Sequence, residues 1–68
     1  MTKEKARLYK TAYAAVSCAH FQKGDCVSVE FVHVGNNGLM WFHINKTQHG
    51  KLPYPVAYHD KMLTDFSL

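Results

Sequence analysis

The sequence predicts an α+β fold, in which an N-terminal amphipathic helix precedes a small, curled antiparallel β-sheet. Apolar residues recur at helical spacing within the first 20 residues, and apolar and polar residues alternate on both sides of an Asn-Asn-Gly turn. Two prolines then make residues 52–58 extended. We therefore expect a helix within residues 1–20 and a β-sheet within residues 21–68, in one domain that spans residues 1–68.

The N-terminal helix is predicted from four residues that recur on one helical face: Ala6, Tyr9, Tyr13 and Val16. Thr2 is the expected N-cap, because its hydroxyl can accept a hydrogen bond from a free backbone N–H of the first turn. We expect the helix to end near residues 17–20. A polar turn at residues 22–25 then leads into the first strand.

A hairpin at residues 26–46 is the centre of the predicted sheet. With Asn36 and Asn37 in the turn, five pairs face each other: Val34 with Leu39, His33 with Met40, Phe31 with Phe42, Glu30 with His43, and Val29 with Ile44. One face is then apolar and is the predicted core face: Val27, Val29, Phe31, Met40, Phe42 and Ile44, with His33 near the turn. A slip of one residue would bring His43 and Asn45 onto that face, which disfavours the alternative register.

The opposite face carries an apolar cluster close to the turn, made of Val32, Val34, Leu39 and Trp41. Two interpretations are open. Either the N-terminal helix covers the cluster through Tyr9, Tyr13 and Val16, or the cluster binds a protein partner or a second copy of the chain. Tryptophan often contributes much of the binding energy of an interface. The second interpretation predicts a non-catalytic protein-interaction module, such as the accessory or regulatory factors of mobile genetic elements.

The chain after the hairpin is predicted as a loop, an edge strand, one helical turn and a last strand. Residues 47–51 are polar, and the prolines of residues 52–58 cannot donate ladder hydrogen bonds, which suits the edge of a sheet. Asp60 can cap a helical turn, and residues 64–68 can add a short strand.

The order of these elements, together with Phe21-x-Lys23-Gly24-Asp25-x-Val27, resembles the SH3-like small β-barrels over residues 21–68. The resemblance implies a barrel-like sheet with an aromatic binding surface, to which Trp41, Tyr54 and Tyr58 would contribute. Tyr54-Pro55-Val56-Ala57 also resembles the type II dihydrofolate reductases, which are SH3-like barrels. The active-site motif of that family, Val-Gln-Ile-Tyr, is replaced here by Lys51-Leu52-Pro53-Tyr54. We therefore do not expect reductase activity.

Other catalytic and metal-binding motifs are missing from the sequence. The two cysteines, Cys18 and Cys26, are too few for a disulfide scaffold, lack the paired spacings that hold zinc, and are predicted to be small buried residues. The five histidines are scattered, and no G-x-S-x-G nucleophile turn occurs. We therefore expect no enzymatic activity, no cofactor, no metal and no small-molecule substrate.

The composition and charge of the chain limit its location and its partners. No apolar run approaches the roughly 20 residues of a membrane helix, and the first residues lack the apolar core of a signal peptide, so we expect a cytoplasmic protein. The net charge of +3 lies wholly in residues 1–10, whose basic residues are Lys3, Lys5, Arg7 and Lys10. These side chains predict nucleic acid as an alternative partner, with phosphates on the basic groups and bases stacked on Tyr or Trp. A protein partner, or a homodimer, is favoured because the aromatic residues are not interleaved with the lysines.

Overall fold

The computed structural model describes residues 2–68, which form one short α-helix, five β-strands and a single turn of 3₁₀ helix. The helix α1 spans Lys3–Leu8. The strands are β1 (Thr11–Ala14), β2 (Cys26–Val34), β3 (Met40–Thr47), β4 (Gly50–His59) and β5 (Leu63–Ser67), and the 3₁₀ helix at Asp60–Met62 joins β4 to β5. None of the helices in residues 2–68 has the length and hydropathy required to cross a membrane.

The strands form one antiparallel sheet with the order β4-β3-β2-β1-β5. The sheet curls, so that Phe66 of the end strand β5 reaches Phe42 of β3, with 5.1 Å between the ring centroids. The two end strands, β4 and β5, are not paired with each other within residues 2–68, so the sheet is not closed. The predicted α+β class, the edge position of the proline-bearing strand and the helical turn after it are confirmed.

The predicted helix is much shorter than expected, and residues 11–14 form a strand instead. Thr2 caps α1 as predicted, because its Oγ1 accepts a hydrogen bond from the Lys5 N–H at 3.3 Å. The chain is already extended at Tyr9, and β1 pairs with β2 on one side and β5 on the other. Ala12 and Ala14 are buried while Tyr13 is exposed, so the same residues also satisfy the two-residue period of a strand. Tertiary pairing thus overrides the helical propensity of this alanine-rich segment.

The central hairpin keeps the predicted register in its middle and departs from it at both ends. The pairs Val29 with Ile44, Glu30 with His43, and Phe31 with Phe42 are confirmed, as is the turn, where the Gly38 N–H donates to the Gly35 carbonyl oxygen at 3.0 Å. Nearer the turn, His33 pairs with Trp41 and Val34 with Met40, so the predicted pairs of His33 with Met40 and Val34 with Leu39 are wrong. An extra residue in β2, Val32, produces this shift as a β-bulge.

The core lies on the concave face of the sheet. Its most deeply buried large side chains are Phe42, Ile44 and Val27, all of which were predicted for the core face. Phe31 and Met40 pack against them and are half-buried. The helix α1 also lies on this side, since Ala6 is fully buried in the core and the Arg7 guanidinium lies over the Phe31 ring, 5.9 Å from its centroid. The convex face of the sheet is therefore free of the helix.

Candidate functional site

Three aromatic side chains form a row across the convex face of the sheet. His33 of β2 and His59 of β4 are the two ladder partners of Trp41 on β3, so all three share a face. The His33 ring is parallel to the indole, at 7° and with 6.3 Å between centroids, and the His59 ring meets it edge-on at 90° and 5.2 Å. We call His33, Trp41 and His59 the Trp41 row.

The β-bulge at Val32 is what brings His33 into this row. In the uninterrupted register His33 would lie on the core face, whereas the extra residue moves it to the convex face beside Trp41. Gly35 supports the indole from the turn: a Cβ atom on this glycine would lie only 2.8 Å from Trp41 Nε1. Trp41 is thus half-buried and held on three sides, with part of its ring open to solvent.

The neighbouring rows of the convex face carry more positive than negative charge. The next row along the strands is Glu30, His43 and Ala57, and the row at the far end contains Lys46 and Lys51. Both lysines and Glu30 are exposed. Across β2, β3 and β4, the convex face therefore combines the indole of Trp41 with two lysines, three histidines and one carboxylate.

The helix does not cover this face, so the first of the two interpretations of the apolar cluster is wrong. Tyr9 packs against Phe66 on the core side, with 5.2 Å between ring centroids. Tyr13 and Val16 are exposed, and Tyr13 pairs with Cys26, at the opposite end of β2 from the Trp41 row.

The predicted cluster of Val32, Val34, Leu39 and Trp41 is only partly brought together. Val32 is the exposed bulge residue next to His33. Val34 pairs with Met40, which packs against the core, so it lies on the other face from Trp41. Leu39 stands in the turn, where its carbonyl oxygen accepts the Gly35 N–H at 2.7 Å. A binding role for these residues stays a prediction.

The two tyrosines proposed as aromatic contacts are not part of the Trp41 row. Tyr54 stands between two prolines, where the pairing of β3 with β4 shifts, and it is 61% exposed. Tyr58 pairs with Phe42 on the core side, packs edge-on against Phe21 at 4.9 Å, and is half-buried.

The four basic residues of the N-terminus are exposed but do not adjoin Trp41. Lys3, Lys5 and Arg7 belong to α1 on the core side of the sheet. Lys10 follows the helix, and its backbone joins two strands, because its N–H donates to the Ser67 carbonyl and its own carbonyl accepts the Val29 N–H. The sheet therefore separates these cations from the Trp41 row.

A second group of polar side chains includes Tyr58 on the core side of the sheet and was missed from the sequence. The Cys18 thiol donates to Tyr58 Oη at 3.2 Å, and His20 Nδ1 lies 2.8 Å from the same oxygen. Burial raises the pKa of Tyr58 from 10.0 to about 12. Tyr58 is 40 residues from Cys18 in the chain, so no local pattern could have paired them.

A cavity of about 380 Å³ adjoins this group. Its lining is formed by the loop between β1 and β2 and by the turn after β3: Cys18, Ala19, His20, Phe21, Gln22, Asp25 and His49. The Asp25 carboxylate is buried, accepts the Gln22 N–H at 3.0 Å, and lies 3.4 Å from His49 Nε2. Within residues 2–68, no three His, Cys, Asp or Glu side chains are grouped so as to hold a metal ion.

Comparison with known proteins identifies no relative. No protein-family model matches the chain, and neither the curated proteins nor the solved structures contain a match. The assignment of function therefore depends on the surface and the side-chain geometry described above.

Proposed function

We propose that this chain is a small, non-catalytic protein-interaction domain that binds an acidic partner protein through its convex face, with Trp41 at the centre of the contact. The observation that carries the proposal is the half-buried indole of Trp41, held between His33 and His59 on a sheet face that α1 leaves free. A rigid aromatic group that is already ordered loses little conformational entropy on binding, which is why Trp residues often dominate interface energetics.

The charge of the face supports an acidic partner in preference to a second copy. Lys46 and Lys51 lie at the far end of the same face, and Glu30 is the only acid in the paired rows of β2 and β3. A second copy docked face to face would bring like charges together, whereas an acidic surface would be attracted and steered to the site.

The fold is proposed to be a partly open SH3-like small barrel. The support is the order of the elements: a curled sheet with the order β4-β3-β2-β1-β5 and a 3₁₀ helix between its last two strands. This resemblance concerns architecture and does not by itself specify a partner.

Nucleic acid remains the alternative partner, and the geometry makes it the weaker proposal. A nucleic-acid strand that stacks on Trp41 and also binds Lys3 and Lys5 through its phosphates would have to pass from one face of the sheet to the other. Binding of this kind would weaken steeply with salt and would depend on the helix lysines.

The test compares immobilised wild-type protein with Trp41→Ala in quantitative pull-downs from lysate, with Tyr13→Ala as the matched control. Tyr13 is also an exposed aromatic residue, 45% accessible, but it lies at the other end of the sheet. A protein captured by the wild type and by Tyr13→Ala, and about 30-fold more weakly by Trp41→Ala, supports the proposal.

A second variant, Lys46→Glu with Lys51→Glu, changes only exposed side chains, so that a loss of binding in this variant is not explained by a folding defect. This variant should bind the same partner more weakly and should invert the salt dependence of binding. Capture that is indifferent to both variants would refute the proposal. A gel shift with single-stranded DNA and RNA that is lost in Lys3→Gln with Lys5→Gln would instead establish the alternative. Point substitutions are preferred to truncation of residues 1–10, since Ala6 is part of the core.

A further inference from the structure

The side chains of Cys18, Tyr58 and His20 form a continuous hydrogen-bonded array beside the cavity. The Sγ–Oη distance is 3.2 Å and the Oη–Nδ1 distance is 2.8 Å, so both contacts are within hydrogen-bonding reach. We propose that Cys18 is a reactive thiol that undergoes exchange with small disulfides, with Tyr58 relaying its proton to His20. This activity is stoichiometric and separate from the convex face.

The direction of the array suits removal of a proton from sulfur. The thiol donates to Tyr58 Oη. The phenol O–H can then donate to His20 Nδ1 when the ring proton of His20 is on Nε2, which leaves Nδ1 as an acceptor. The phenol is protonated at neutral pH, because burial raises the pKa of Tyr58 to about 12. A cysteine that gives its proton to a histidine is a common arrangement of activated thiols.

The cavity provides space for a ligand at the sulfur. Cys18 and His20 both line it, and its volume of about 380 Å³ falls in the range typical of small-molecule sites. Phe21 supplies an apolar wall and the buried Asp25 a polar one. A thiol in the wall of a cavity of this size can exchange with a small molecule that contains an S–S bond, and this is the ligand class that we assign.

The exchange step balances without any other reagent. The Cys18 thiolate attacks one sulfur of R–S–S–R, the S–S bond of the ligand breaks, and a new Cys18–S–S–R bond forms. The proton of Cys18 moves through Tyr58 to His20 and then to the leaving thiolate, which departs as R–SH. Cys18 is oxidised and the departing half of the ligand is reduced.

The second cysteine of the chain is an internal control. Cys26 is half-buried like Cys18, but within residues 2–68 its sulfur makes no hydrogen bond, and its backbone N–H donates to Gln48. A difference in reactivity between the two thiols therefore reports the cavity and the array together, and the variants below separate the two.

The experiment measures the rates of mixed-disulfide formation at both cysteines with 2-hydroxyethyl disulfide, an uncharged probe. Trypsin separates the two sites, because residues 11–23 contain Cys18 and residues 24–46 contain Cys26. Mass spectrometry of the digests then gives both rates from one sample. We expect Cys18 to react about tenfold faster than Cys26 or more, as a positioned base commonly provides.

Two variants test the relay. Tyr58→Phe keeps the ring that packs on Phe21 and removes only the hydroxyl, and His20→Gln keeps a hydrogen-bonding group that cannot accept the proton. Both should reduce the Cys18 rate to within about twofold of the Cys26 rate, while an unchanged Cys26 rate shows that the fold is intact. A wild-type ratio below about threefold overturns the proposal, as does a high ratio that persists in either variant.

Discussion

The substitution Gly35→Ala tests the geometry of the Trp41 row directly. The new Cβ would lie 2.8 Å from Trp41 Nε1 and 3.2 Å from Trp41 Cδ1, well inside ordinary van der Waals contact. The indole is held between His33 and His59 and so has little freedom to move aside. The φ angle of Gly35 is outside the left-handed region, so the backbone accepts alanine without strain.

The expected cost follows from two opposing effects. Overpacking against the indole should destabilise the protein by about 1–3 kcal/mol. Replacement of glycine by alanine also reduces the entropy of the unfolded chain, which stabilises by about 0.4–1 kcal/mol. In a Trp41→Leu background the clash with the indole is absent and only the tight contact of the new Cβ with Asn37 Oδ1, at 3.2 Å, remains, so the same substitution should cost much less. The coupling energy between positions 35 and 41 is therefore about 1–3 kcal/mol.

The assay is a double-mutant cycle from urea denaturation, followed by circular dichroism because the only tryptophan is altered. Gly38→Ala is the matched control, since its cost arises from a φ of +83° and no atom lies near its Cβ position, so it should not depend on Trp41. Gly35→Ala should also shift the fluorescence of Trp41. Equal effects of Gly35→Ala in both backgrounds would show that the indole does not rest on Gly35 and would refute the description of the row.

Three further predictions concern Ile44 in the core, Asp25 beside the cavity, and the half-buried Tyr58. Ile44→Ala should destabilise by about 2–5 kcal/mol, because the side chain is fully buried, whereas Val32→Ala on the exposed bulge should change stability by less than about 0.5 kcal/mol; similar values in urea denaturation would contradict the assigned faces. Asp25→Ala should lower the free energy of unfolding by about 1–3 kcal/mol, because the Gln22 N–H loses its buried acceptor. His49→Ala should lower it far less, because the His49 side chain is 69% exposed. Equal thermal shifts for the two variants would instead place the energy in the contact between Asp25 and His49. Because the pKa of Tyr58 is raised to about 12, an alkaline titration followed by ultraviolet absorbance should show one tyrosine that ionises near pH 12. This ionisation step should be missing in Tyr58→Phe. Since the pKa of Tyr58 is higher in the folded state, the contribution of Tyr58 to stability should be constant below pH 10 and should be lost as the pH rises toward 12. A wild type whose tyrosines all ionise near pH 10 would refute this.

The middle of the hairpin could be predicted because its residues carry enough information locally. Alternation of apolar and polar side chains leaves only one register in which Phe31, Phe42 and Ile44 share a buried face. Turn chemistry at Asn36 and Asn37 points to the same register. The position of Trp41 on the opposite face follows from that alternation alone.

The sequence by itself thus determined the hairpin, the edge strand, the helical turn and the face on which Trp41 lies, because each depends on neighbouring residues and short periods. Only the tertiary structure decided that residues 11–14 are a strand, since an alanine-rich stretch fits both periods and the partners β2 and β5 select one of them. It also decided the bulge that carries His33 to Trp41 and the approach of Tyr58 to Cys18 across 40 residues. Those contacts depend on how the curled sheet packs around its core, which no local pattern encodes.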